Sequence, residues 1–252
     1  LPLSFKMLNI ALKKADYVSY RDQGSKSLVE SNINIDAPVY PDIAHSLGIQ
    51  SGKTIKTHED MLTVAINPMP VYDSRYWYVP DEAKFQAYVS KVTKLSITAL
   101  QQGYKLDLFS TQTKDENVVD DIMAQLSKHA NYESWRSQIK ISKNKQLNEL
   151  IDTLNDADII VATRFHATVL PLQLNKPVLG ICYYRKAAEL LDDVGLNNFH
   201  VDIDNFTADE LIEKFQTLVA QRNTITLDIA KHFEHYKTEL KEQYSRIFNL
   251  ID

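Results

Sequence analysis

Two short apolar runs stand out along the chain, Ile159-Ile160-Val161-Ala162 and Val178-Leu179-Gly180-Ile181. Runs of this length without a polar residue fit strands covered on both faces, as in parallel sheets. An apolar helix starting near Phe165 or His166 lies between them, with Thr163 placed to cap it. Upstream, residues 62–66 form another strand pattern. Over 81–103, Phe85, Tyr88, Val89, Val92, Leu95, Ala99 and Leu100 recur at intervals of three and four, which predicts a helix. Gly103 is its expected stop. A strand at 105–109 and helices at 115–129 and 144–154 follow. Beyond the second apolar run, a helix is expected over 207–219, where Thr207 and Glu210 are spaced as a capping box. A charged helix follows at 225–250.

Strands alternating with helices at this spacing imply parallel βαβ units with right-handed crossovers. The expected fold class is α/β, with a Rossmann-like domain over 61–224. Residues 1–47 carry a helix at 4–14, a strand at 16–20, a helix at 23–31 and a short strand ending at Val39. That fragment is too small to bury a core alone. It reads as the C-terminal part of an incomplete N-terminal α/β domain. Residues 48–60 are polar and unperiodic, a linker, and 225–252 would pack back toward the N-terminal part. The chain opens on Leu1 without the charged stretch and small-residue cleavage site of a secretory signal, so it reads as a piece of a longer protein.

Composition narrows the function classes. The 252 residues are 44% hydrophobic and 24% charged, the balance of a globular chain. A net charge of −5 gives no general attraction for nucleic acid or an anionic membrane surface. No apolar run approaches the roughly 20 residues of a membrane span. One cysteine, Cys182, cannot form an internal disulfide and suits a reducing compartment, so a cytoplasmic location is expected. At a strand end, Cys182 reads as a buried structural thiol.

The chemistry concentrates where strands end. Arg164 and His166 follow the first apolar run; Tyr183, Tyr184, Arg185 and Lys186 follow the second. Ligands of open α/β sheets sit beyond the carboxyl ends of strands, and helix N-termini there favour anions. Arg164 has the planar fork suited to phosphate or carboxylate. His166 either caps a helix or exchanges protons with a ligand. Lys186 and Arg185 open a helix, where cations oppose its dipole unless a bound anion compensates. Arg21, Asp22 and Ser25 follow the strand at 16–20, either as a helix start or as a site; Pro41-Asp42 marks a turn. Tyr72, Arg75, Tyr76, Trp77 and Tyr78 form an aromatic loop, packed on its own domain or open to a sugar ring. Asp115, Asp120 and Asp121 are expected on an exposed helix face, and His232 and His235 on a solvent face. Ser51-Gly52-Lys53-Thr54 fails as a phosphate loop, because Leu47 stands where that motif needs glycine.

Taken together, the segments Arg164-Phe165-His166, Pro177 to Ile181, Tyr183-Tyr184-Arg185-Lys186, Ser19-Tyr20-Arg21-Asp22-Gln23-Gly24-Ser25 and Pro41-Asp42 resemble the polysaccharide pyruvyl transferase family in order and spacing. The resemblance runs from about Asp16 to about residue 220. It implies a two-domain architecture similar to GT-B glycosyltransferases. It also implies transfer of a pyruvyl group from phosphoenolpyruvate to two sugar hydroxyls as a ketal, in bacterial exopolysaccharide or cell-surface polysaccharide biosynthesis. His166 is then the expected acid/base group. Arg164, Lys186, Arg185, Tyr183, Arg21, Ser25 and Arg75 are the expected substrate-binding groups. The family often has an arginine after the strand at 62–66, where this chain has Asn67-Pro68-Met69; whether Arg75 replaces it is open in the sequence. The implied partners are phosphoenolpyruvate and a sugar or lipid-linked oligosaccharide, with peripheral membrane contact through the latter. No cofactor beyond the donor substrate, no metal and no nucleic acid are expected. Two alternatives stay open: a GT-B glycosyltransferase using a nucleotide sugar, and a non-catalytic glycan-binding or scaffolding member.

Overall fold

The computed structural model describes residues 2–46 and 61–250. The linker at 48–60 and the Ser51 to Thr54 motif lie outside the described residues. The chain divides into two units, Gln50–Ala230 and Leu1–Ile49 with Lys231–Asp252.

The smaller unit carries α1 (Leu3–Lys14) and α2 (Gln23–Ile33). The expected strand at 16–20 reduces to one parallel bridge, Tyr20 to Val39. The Tyr20 amide donates to Pro38 O at 2.8 Å, and Tyr40 N donates to Tyr20 O at 2.9 Å. A single bridge supplies too few ladder bonds for a strand, so the Tyr20 hydroxyl adds a tie to Ile35 O at 2.9 Å.

The larger unit runs β1 (Thr63–Asn67), α3 (Glu82–Gln101), β2 (Lys105–Ser110), α4 (Thr113–Leu126), α5 (Tyr132–Trp135), β3 (Ile139–Lys143), α6 (Leu147–Asp156), β4 (Ile159–Ala162), α7 (Phe165–Gln173), β5 (Val178–Cys182), α8 (Arg185–Asp193) and β6 (His200–Asp202). All pairings are parallel, in the order β3-β2-β1-β4-β5-β6. That is the order of a doubly wound dinucleotide-type sheet. The mixed α/β class and parallel sheet read from the sequence are therefore present. Fully buried Ile66, Phe85, Leu95, Leu106, Leu108, Phe109 and Ile159 fill the layers between sheet and helices. Gly103 does stop α3: its φ of +80° is the left-handed cap that glycine adopts without steric cost.

Three expectations change. β3 and β6 have no apolar signature, because both are edge strands; β3 exposes Lys140, Ile141 and Lys143, which also guards the edge. The helices expected at 207–219 and 225–250 are one helix, α9 (Ala208–Phe248). Residues 220–224 contain neither glycine nor proline, and Arg222 buries its guanidinium against Val219 O at 3.0 Å, so nothing breaks the turn. The Thr207 hydroxyl oxygen does cap the helix, accepting from Glu210 N at 3.1 Å. α4 starts two residues earlier than expected, with Gln112 and Asp115 forming its capping box.

Gly180 sets how closely α8 lies on β5. A Cβ there would meet Leu191 Cδ1 at 2.6 Å and Cys182 Sγ at 3.1 Å, and Leu191 is fully buried. Gly180→Ala should therefore cost about 1–3 kcal/mol, as overpacking does. Thermal unfolding would register it as a fall of roughly 2–4 °C per kcal/mol; an unchanged midpoint would mean Leu191 relaxes freely.

Candidate functional site

The strand order reverses between β1 and β4, and a crevice outside their carboxyl ends is where such sheets hold ligands. A buried polar network ties the chain together there. Asn67, at the end of β1, accepts Thr163 N on its carbonyl at 3.1 Å and donates its side-chain amide to Phe109 O at 3.0 Å. The Tyr88 hydroxyl accepts Met69 N at 3.1 Å and bonds Thr163 Oγ1 at 2.8 Å. Burial pushes this phenol up to about 12, so it stays a neutral hydrogen-bonding group. Thr163 is thus spent on Tyr88, and Arg164, not Thr163, is the N-cap of α7, without any side-chain cap bond.

Arg164 folds back onto Asp115. Its Nε reaches both carboxylate oxygens at 2.8 Å, and Nη2 donates to Oδ1 as well. The expectation that Asp115 lies on an exposed face fails: its side chain is 0% exposed, against 14% for Arg164. The same carboxylate accepts Thr111 N and Gln112 N at 3.1 Å, holding the N-terminus of α4. Asp115 recurs at three and four with Val118, Val119 and Ile122, all buried. A charge on an apolar stripe is a buried charge, which is the signal that could have found it. Asp121 stays partly exposed and pairs with Arg75.

The remaining predicted groups divide. Arg75 forks onto buried Asp73, with Nε 2.9 Å from Oδ1, and onto Asp121, while lying over Phe85 at 5.5 Å. The Asp73 carboxylate raises its already high pKa further. Arg185 is 86% exposed and pairs with Glu189 at 2.7 Å, a surface bond worth little. Lys186 has no carboxylate within ion-pair distance among the described residues. Its Nζ lies 5.5 Å from the centroid of the Phe165 ring, so the starts of α7 and α8 converge. His166 is exposed beside them, edge-on to Phe165 with centroids 5.7 Å apart. Tyr183 is half-buried; burial raises its pKa, and the Arg164 charge pulls the other way. The N-cap of α8, Tyr184, likewise makes no side-chain cap bond.

Arg21 and Ser25 belong to the smaller unit. Arg21 pairs with Asp42 at 3.2 Å and Asp22 at 3.7 Å, which joins the two upstream sequence motifs. Asp22 caps α2 by accepting Ser25 N at 2.6 Å. Cys182 is buried, and burial pushes its thiol up to about 12, which suits a structural role. Among the described residues no group of three or more metal-ligating side chains comes together. No helix among them is long and apolar enough to cross a membrane.

The description of one known family, polysaccharide pyruvyl transferase, matches residues 1–184. The chain belongs to that family. It is a family of transferases, and the match takes in β1 to β5 together with Arg164, His166 and Tyr183, ending just before Arg185 and Lys186. Among solved structures, this chain is similar to a chain of the GtfA/B complex, with 11% identity and a TM-score of 0.60 over 98% of this chain and 48% of that one. It is also similar to a glycosyltransferase from Rickettsia africae ESF-5, with 13% identity and a TM-score of 0.54 over 96% and 68%. TarM matches with 11% identity and a TM-score of 0.52 over 96% and 45%. At these identities the likeness is one of fold: the neighbours are GT-B glycosyltransferases. The chain spans less than half the length of the GtfA/B chain and of TarM.

Proposed function

We propose that this chain carries the donor site of an enzyme that transfers the pyruvyl group of phosphoenolpyruvate to two hydroxyls of a sugar. The pathway would be bacterial exopolysaccharide or cell-surface polysaccharide synthesis, with a free or lipid-linked sugar acceptor. The observation that carries the reading is the convergence of two uncapped helix starts on Lys186, the cation with no carboxylate partner among the described residues. Phosphoenolpyruvate presents a carboxylate and a phosphate. Lys186 and the first-turn amides of α7 and α8 supply charge-assisted hydrogen bonds to such groups. Arg164, held by Asp115 through Nε and Nη2, keeps Nη1 for a ligand.

The chemistry balances without a further reactant. A sugar hydroxyl adds to C2 of the enol, C3 takes up a proton to become a methyl group, and a second hydroxyl displaces phosphate from C2. One hydroxyl proton ends on C3 and the other leaves with phosphate. His166, exposed at the start of α7, is the group suited to moving these protons. The cations and helix amides stabilise the departing phosphate.

Lys186→Ala should weaken phosphoenolpyruvate binding by roughly 10- to 100-fold, the worth of a hydrogen bond to a charged group. Its unliganded unfolding midpoint should hardly move. The measurement is the shift of that midpoint with phosphoenolpyruvate, inorganic phosphate and a set of nucleoside diphosphates. A shift with nucleoside diphosphates alone would replace this reading with a nucleotide-sugar glycosyltransferase. No shift with any of these would leave a non-catalytic member.

A further inference from the structure

The loop between β1 and α3 is built more rigidly than its length requires. Asp73 is buried; its carboxylate accepts Arg75 N at 2.8 Å, and its carbonyl accepts Tyr76 N and Trp77 N at 3.0 and 2.8 Å. Asp81 N closes the loop onto Tyr72 O at 2.9 Å. Tyr72 itself sits at φ +64°, a left-handed backbone that a bulky side chain rarely adopts. It is held there by its hydroxyl on Asp204 at 2.7 Å and by Lys84, 4.8 Å from its ring centroid. Such strain persists only where the surroundings over-determine it, and it concentrates at functional sites.

What the strained turn presents is a row of rings. Tyr78 lies 6.2 Å from Trp77, Trp77 lies 6.0 Å from Tyr183, and Tyr183 lies 4.3 Å from Tyr184. Trp77 meets Tyr72 and Tyr183 in edge-to-face contacts, at 63° and 78°, which fix the orientation of its indole. Tyr78 is 89% exposed and Tyr184 63%. The row ends at Tyr184, two residues before Lys186. We propose that Tyr78, Trp77, Tyr183 and Tyr184 form a stacking shelf for the hexose rings of the acceptor; this rests on the pyruvyl-transfer reading. A sugar ring offers a flat C–H face to aromatic faces and hydroxyls to phenol oxygens, and tyrosine and tryptophan serve both needs. Rigid rings lose little conformational freedom on binding. Continuity with Lys186 meets the remaining need, since the acceptor hydroxyls must reach the donor carbon in a near-attack geometry.

The test uses the whole chain and a panel of methyl hexosides and methyl N-acetylhexosaminides, followed by tryptophan emission. The chain has two tryptophans, and Trp135 is buried and stacked on His129, so Trp77→Phe identifies the responding indole. At least one glycoside should change the emission saturably, with an affinity on the order of millimolar. Trp77→Phe should abolish the change, and Tyr78→Ala should weaken it about 5- to 10-fold. In both variants the phosphoenolpyruvate-induced midpoint shift should persist. No response to any glycoside up to about 100 mM, or a Trp77 response to nucleoside diphosphates alone, would overturn the shelf. Glycoside binding without any phosphoenolpyruvate shift would uphold the shelf and instead remove the pyruvyl donor.

Discussion

His166→Ala should lower turnover about 100- to 10,000-fold, the range expected for loss of a positioned acid/base group, with folding intact. The side chain is exposed and touches only the edge of Phe165 among the rings described. Surface substitutions away from caps and buried networks stay within about 0.5 kcal/mol, so stability and activity separate cleanly at this position. Phosphate release from phosphoenolpyruvate in the presence of acceptor is the readout, beside a thermal midpoint for each protein. Near-normal turnover in the variant would remove His166 from the proton transfers.

Asp115→Ala should produce the largest loss of stability of any single change at the site. Arg164 would be left largely buried with no counter-charge, and breaking such a pair costs about 3–5 kcal/mol. The Thr111 and Gln112 amides at the start of α4 would lose their acceptor too. For a unit of this size the midpoint should fall by roughly 6–20 °C. Arg164→Met with Asp115→Leu removes both charges together, and it should recover most of that stability while leaving donor binding weak. If the single variant unfolds at the wild-type temperature, the Arg164–Asp115 pair does not hold the start of α4.

Much of the fold was legible because its signals are local. The tetrads of β4 and β5 and the three-and-four spacing of α3 each report burial on the faces that the sheet covers. β3 and β6 escaped because edge strands need no apolar face. α9 escaped as one element because the largely polar residues 220–224 look like a loop yet include no helix breaker. At the site, the sequence located Arg164, His166 and Lys186 at strand ends, yet it could not show which cations are already matched. Arg164 finds Asp115 from 49 residues away, and Arg75 finds Asp121 from 46. Such pairings depend on the tertiary path alone. Of the cations singled out in the larger unit, only Lys186 retains an unmatched charge among the described residues, a fact that residue type cannot convey.

The reversal of strand order also favours an order of assembly. β1 can pair with β2 over a short crossover, but its other neighbour requires Val64 to meet Ile159. Closing a loop of that length is entropically slow. A nascent chain can therefore form the β3-β2-β1 half early, while one flank of β1 waits for β4 to be synthesised. Arg164 can join Asp115, and Thr163 can join Tyr88, only after β4 has reached β1, so these ties across the crevice cannot help the first half of the sheet to form.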